Sequence, residues 1–194
     1  MLKISKYSSV VLIVAGCCLA FATNAQKIQA VSFSLQSESV AIPFTRLGKL
    51  HPGIEIGVQL HQQERVHTLR RWNAYVGWFH HENLDQNFYL RGEYEFAYNI
   101  NKTLSIFAPI SLGYMHSFHA KPVYEQRSDG SFSEKTQMGR PHAILNLGLG
   151  ARYLGFRRLE PFVKYEVMAQ SPFVATVPVA PRSFLKVGTQ IKFN

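Results

Sequence analysis

A hydroxyl flanked by imidazoles is the feature of this sequence that most directly suggests chemistry. In the segment 113–119, Ser117 directly follows His116 and lies two positions before His119. A histidine within hydrogen-bond reach of a serine can remove the hydroxyl proton and create a nucleophile. Adjacent residues of an extended strand point to opposite faces, which argues against His116 as the direct partner of Ser117. His119 shares the face of Ser117 if the strand continues, so it is the better candidate for the base.

Histidine also suggests metal or haem binding, because imidazole is a common ligand that titrates near neutral pH. Six of the eight histidines are predicted at the outer ends of strands, and they are His51, His80, His81, His116, His119 and His142. The candidate binding residues at this end are His51, His80, His81, His142 and Arg140. The candidate metal ligands, predicted to face the same side, are His81, His119 and His142. A zinc site needs three or four converging ligands, and amphipathic histidines also suit an interface without a ligand. No cofactor is therefore predicted.

The elements that must position these residues are strands. Apolar side chains recur at every second position, and no stretch has the helical period. In one segment, Leu90 and Tyr94 alternate with Arg91 and Glu93. The predicted strands lie near residues 28–37, 52–63, 68–81, 87–98, 103–117, 141–154, 160–170 and 183–193.

The connections between these eight strands alternate in length. Those after the second, fourth and sixth strands are short, and the others are mostly longer. Short turns at one end and longer loops at the other are typical of bacterial outer-membrane barrels, whose loops lie outside the cell. We therefore predict an all-β fold, an eight-stranded antiparallel up-and-down transmembrane β-barrel.

The two faces of the predicted strands differ in polarity. In a membrane barrel the apolar face contacts lipid and the polar face fills the lumen, which eight strands make just wide enough for side chains. The charged residues predicted to neutralise one another in the lumen are Arg91, Glu93, Glu95, Lys164 and Glu166. An unpaired charge there would cost several kcal/mol. The aromatic residues predicted as interfacial girdles are Trp78, Phe88 and Tyr114 at one end and Tyr98, Tyr153 and Phe193 at the other.

The N-terminal segment has the layout of a secretory signal peptide. Two lysines precede an apolar stretch at 10–21, and small residues lead to a cleavage site after Ala25. We predict a signal peptide at 1–25 and the barrel domain at 26–194. An alternative is lipoprotein processing at Cys17, although the residues that follow it stay apolar. Both cysteines lie in this segment, so the mature chain has no disulfide.

Composition and charge exclude several classes of protein. The hydrophobic content of 46% is too high for a disordered chain, and no apolar run reaches the ~18–20 residues of a spanning helix. Of the 21 basic residues, two lie in the signal peptide, which leaves 19 against 12 acidic residues. The basic residues are scattered rather than arranged in a stripe, so nucleic acid is not a predicted partner. Anionic lipid or lipopolysaccharide suits such a surface better.

The final predicted strand resembles the terminal recognition strand of outer-membrane barrels. Its apolar residues are Leu185, Val187, Ile191 and Phe193, followed by Asn194 where the usual pattern ends on the aromatic residue. This resemblance implies the barrel-assembly machinery as a partner. Residues 28–194 as a whole resemble small eight-stranded outer-membrane barrels of the OmpA/OmpX or lipid A deacylase type. The resemblance implies a location in the outer membrane of a Gram-negative-type envelope.

The expected role is structural or surface-binding, with loops that contact lipopolysaccharide or an external partner. A lipid A-modifying hydrolase is the first alternative, because deacylases of similar size use a His-Ser pair with a carboxylate at the outer rim. Their spacing is His-x-Ser, whereas here His116 directly precedes Ser117. Metal or haem binding by rim histidines is the second alternative. A soluble, lipocalin-like barrel is the third.

Overall fold

The computed structural model describes residues 28–39, 51–82, 84–121, 124–126, 132–134, 139–172 and 178–193. The predicted signal peptide and the alternative processing site at Cys17 lie outside these residues. No helix in the described ranges is long and apolar enough to cross a membrane. The strands are β1 (Ala30–Ser39), β2 (His51–Glu64), β3 (Thr68–His80), β4 (Asp85–Asn99), β5 (Leu104–His119), β6 (Tyr124–Gln126), β7 (Phe132–Glu134), β8 (Arg140–Tyr153), β9 (Leu159–Ser171) and β10 (Ala180–Lys192).

Eight of these strands form a closed antiparallel barrel. The order around it is β1-β10-β9-β8-β5-β4-β3-β2, and β1 pairs with both β2 and β10 to close the sheet. Strands adjacent in sequence are adjacent in space, except that the two-stranded hairpin of β6 and β7 lies between β5 and β8. The prediction of an eight-stranded up-and-down barrel is confirmed.

The two ends of the barrel differ in the length of their connections. The turn end carries the short connections 65–67, 100–103 and 154–158. In one of these, the side-chain oxygen of Asn101 accepts hydrogen bonds from the backbone amides of Thr103 and Leu104, at 2.8 Å and 2.7 Å. Asparagine favours tight turns through such bonds. The opposite end, which we call the loop end, carries the connections after β1, β3, β5 and β9.

The outer face of the barrel is a band of exposed apolar side chains. Leu112 on β5 is 68% exposed and Leu147 on β8 is 54% exposed. All six predicted girdle residues lie on this face, and ten positions separate Phe88 from Tyr98 along β4. A tilted transmembrane strand needs about 9–11 residues, so one strand spans the distance between the two girdles. The apolar face thus points outward, as a transmembrane barrel requires.

The inner face is packed with both apolar and polar side chains. An apolar layer towards the loop end is formed by Phe79, Tyr89, Met115, Ile144, Met168 and Phe184. A second apolar cluster towards the turn end is formed by Leu69, Ala97, Phe107 and Phe162. Glycines make room for the large rings, since a Cβ at Gly77 would overlap Tyr89. Gly92, by contrast, faces outward with open space around it.

Candidate functional site

The middle of the lumen holds a balanced cluster of six charged side chains. We call it the central ion cluster, and its members are Glu55, Glu93, Glu166, Arg91, Lys164 and Lys186. Arg91 Nη2 lies 2.7 Å from Glu55 Oε2 and 3.1 Å from Glu166 Oε1. Three carboxylates face three cations, and all six side chains are almost fully buried. Mutual neutralisation is what makes such burial tolerable.

A second cluster lies nearer the turn end. Arg152 forms a two-bond contact with Glu95, with both nitrogen–oxygen distances at 2.7 Å. Arg71 donates to Glu160 at 2.8 Å. Planar guanidinium groups match carboxylates in this bidentate way. Glu95 therefore belongs to this second cluster, while the other four charged residues predicted for the lumen belong to the central ion cluster.

Several charged residues of the lumen were missing from the predicted network, although their signal was present in the sequence. Glu55 and Lys186 alternate with apolar neighbours on β2 and β10, as Arg91 and Glu93 do on β4. The same two-residue period would have placed them in the lumen. Which of these charges meet depends on strand register, which the alternation leaves undetermined.

A third group of charges lies at the loop end. Arg182 on β10 contacts Asp85 Oδ2 at 2.5 Å and Glu38 Oε1 at 3.2 Å. Its Nε donates to Gln170 at 2.9 Å. Asp85 also accepts a hydrogen bond from Asn87. Two carboxylates thus share one guanidinium at the outer mouth of the barrel.

Two histidines extend this group. Glu38 and His51 are direct cross-strand partners on β1 and β2, and His51 Nδ1 lies 3.1 Å from the Glu38 carbonyl oxygen. The rings of His51 and His81 stack, with centroids 3.7 Å apart. His81 follows β3 in a turn that is fixed by a bond from its amide to the Asp85 carbonyl. Partial burial, with the His51 ring and Arg182 nearby, lowers the pKa of His81 from its ordinary value.

The structure places the three candidate catalytic residues in different surroundings. Ser117 faces the lumen and its hydroxyl donates to Asn87 Oδ1 at 2.5 Å. His116 lies on the outer face, where its Nδ1 is 2.7 Å from the Tyr114 hydroxyl. A serine hydroxyl has one proton to donate, and here it is directed at an amide oxygen. His119 is exposed at the end of β5.

The remaining predicted binding residues are dispersed around the loop end. His80 faces outward beside Trp78, with ring centroids 6.3 Å apart. His142 is buried and its Nδ1 lies 2.5 Å from the Pro172 carbonyl oxygen. Arg140 is exposed at the start of β8.

The structure groups the metal-ligating side chains differently from the predicted set. Among the described residues, the group of three that could hold an ion is Glu38, His51 and His81, whose donor atoms lie within 4.8 Å of one another. His81 thus belongs to such a group, whereas His119 and His142 do not. Sequence alternation did not identify Glu38, because its approach to His81 depends on the turn after β3.

Together, the closed sheet, the apolar outer face and the charged lumen define an eight-stranded transmembrane barrel. Among solved structures, the neisserial surface protein NspA is similar with a TM-score of 0.54 and 10% identity, over 84% of this chain and 95% of that one. The outer-membrane enzyme PagL gives a TM-score of 0.49 and 8% identity, over 84% and 99% of the two chains. Ail of Yersinia pestis gives 0.46 and 11%, over 86% and 100%.

No family model and no curated protein matches the sequence. The similarity to NspA is structural, and it shows that the fold is that of the small bacterial outer-membrane barrels.

Proposed function

We propose that the protein is a non-conducting barrel of the outer membrane with a structural or surface-binding role. The observation that carries this proposal is the filled lumen beneath an apolar outer face. The central ion cluster and the apolar layer around Phe79 and Phe184 occupy successive levels of the barrel. A lumen of eight strands has room for such side chains but leaves little continuous path for water.

The proposed partners are outer-membrane lipid and lipopolysaccharide. The apolar band suits acyl chains, and exposed basic residues such as Arg140 at the loop end suit anionic headgroups. On this proposal the N-terminal signal peptide directs export, and the barrel-assembly machinery recognises β10. The outward residues Leu185, Val187 and Ile191 form the apolar row of that strand.

Conductance across a planar lipid bilayer tests whether the barrel is closed. We expect purified, folded protein to insert without steady current above that of the bare bilayer, because buried ion pairs fill the lumen. A stable ohmic current that scales with the number of inserted barrels would contradict the proposal. Insertion is checked separately by co-flotation with vesicles, so that an absence of current is informative.

Mass spectrometry of lipid A tests the proposal against the hydrolase alternative. We expect lipid A from cells with and without the protein to be identical, because the Ser117 hydroxyl is directed at an amide oxygen rather than at an imidazole. Loss of one acyl chain that depends on Ser117 would show an enzyme instead. The Ser117→Ala variant is the matched control, since it removes only the hydroxyl.

A further inference from the structure

Among the described residues, the loop-end group of charges is not neutral when its histidines are uncharged. Glu38 and Asp85 contribute two negative charges, and Arg182 contributes one positive charge. The central ion cluster, by contrast, balances three carboxylates with three cations. A buried excess of negative charge is costly unless a cation joins it.

Two buried polar atoms beside this excess charge lack a hydrogen-bond partner among the described residues. They are Glu38 Oε2, which lies 3.6 Å from His51 Nδ1, and His81 Nδ1. The Glu38 side chain is almost completely buried, and Arg182 binds it through the other oxygen, Oε1. Buried polar atoms are normally hydrogen-bonded, so this carboxylate oxygen and this imidazole nitrogen are available to a ligand.

The tautomer of His51 adds a third donor atom. A carbonyl oxygen accepts and cannot donate, so the contact between His51 Nδ1 and the Glu38 carbonyl places the proton on Nδ1. The neutral ring then carries its lone pair on Nε2. Metal-binding histidines are commonly held in this way, with the second nitrogen donating to a backbone carbonyl.

We propose that Glu38, His51 and His81 bind a divalent transition-metal ion, Zn²⁺ in the first instance, at the outer mouth of the barrel. Two imidazoles and one carboxylate form a donor set typical of zinc sites that keep a fourth position for water or another ligand. Nitrogen donors favour this class of ion over Mg²⁺ or Ca²⁺, which prefer oxygen.

The three side chains lie near one another but are not yet at coordinating distances. Zinc ligands at about 2.0–2.2 Å from the metal lie about 3.3–3.5 Å from one another in a tetrahedron. The donor atoms here lie within 4.8 Å of one another, and the stacked rings of His51 and His81 must turn relative to each other so that both nitrogens face one ion. Three separate elements supply the ligands, namely β1, β2 and the turn after β3. A bound ion would therefore join them at the loop end.

Isothermal titration calorimetry with ZnCl₂ tests the proposal on the folded mature chain in detergent. The protein for this experiment is prepared without a histidine tag. It is first treated with EDTA to remove bound metal and then dialysed. We expect one Zn²⁺ per chain, and we expect His51→Ala and His81→Ala each to weaken binding by more than about tenfold. Glu38→Gln should weaken it as well, while it keeps the side-chain size and an acceptor for Arg182.

His80→Ala is the matched control, because His80 neighbours His81 but faces outward. Its affinity for zinc should equal that of the native chain. Heat-modifiable gel mobility checks that each variant is folded. The proposal is overturned if the native chain binds no zinc, or if the three substitutions leave binding unchanged. It is also overturned if His119→Ala or His142→Ala abolishes binding while His51→Ala does not.

Discussion

Arg91 has more ionic partners in the lumen than its position in the sequence indicates. Its guanidinium contacts Glu55, Glu93 and Glu166, and it also donates to Ser111. The two-residue period was enough to predict that Arg91 and Glu166 face inward. It did not indicate that Glu55 is the shared partner, because that contact joins residues 36 positions apart through the register of β2, β3 and β4.

Arg91→Ala should destabilise the barrel by roughly 3–5 kcal/mol, the usual cost of breaking a buried ion pair from one side. Three buried carboxylates would then face only two cations, Lys164 and Lys186. The free energy of unfolding in detergent, from urea titration, measures the effect. Arg157→Ala removes an exposed cation at the turn end and should change stability by less than about 0.5 kcal/mol. Equal stabilities for the two variants would contradict the importance of the central ion cluster.

At the scale of the strand, the alternation of apolar and polar residues predicted which strands exist and which side chains face the lumen. It did not predict every strand boundary. The predicted strand near 160–170 corresponds to β9 at Leu159–Ser171, whereas the one near 183–193 begins three residues earlier, at Ala180, as β10. This extension contains Pro181, and proline is typical of loops. In the barrel, Pro161 and Pro181 lie on the outer face within paired strands. Pairing with a neighbouring strand, rather than local propensity, determines these boundaries.

A substitution at Gly77 tests how tightly the aromatic rings are packed in the lumen. A Cβ at this position would overlap the ring of Tyr89 on the neighbouring strand. Gly77→Val should therefore cost about 1–3 kcal/mol through overpacking, and reduce the yield of folded, heat-modifiable protein. Gly92→Val is the control on β4, because the space outside Gly92 is open. If Gly92→Val reduced folding as much as Gly77→Val, β-propensity or general strand disruption would explain the loss better than lumen packing.

At the scale of the whole molecule, polarity is reversed relative to a soluble barrel. Charged side chains fill the interior, and leucines such as Leu112 and Leu147 cover the exterior. This reversal followed from the sequence once the alternation of turn and loop lengths indicated a membrane barrel. The assembly of Glu38 with His51 and His81 did not follow, because it requires side chains from three elements to converge.

Leu147→Arg should impair insertion into lipid vesicles, because an arginine on the lipid face near the bilayer middle costs about 2–4 kcal/mol. The folded fraction after dilution from urea into vesicles measures this cost. Leu84→Arg is the matched control, since Leu84 is exposed in the turn after β3, beyond the strand. Normal insertion of Leu147→Arg would show that this face does not contact acyl chains.

Membrane fractionation of expressing cells tests whether the barrel is embedded in the outer membrane. Inner and outer membranes are separated on a sucrose gradient, and the outer-membrane fraction is washed with alkaline carbonate. We expect the protein to sediment with the outer membrane, to resist carbonate and to dissolve only in detergent, because its apolar band is embedded in lipid. Recovery of the folded protein in the soluble periplasmic fraction would contradict the account and favour a soluble barrel.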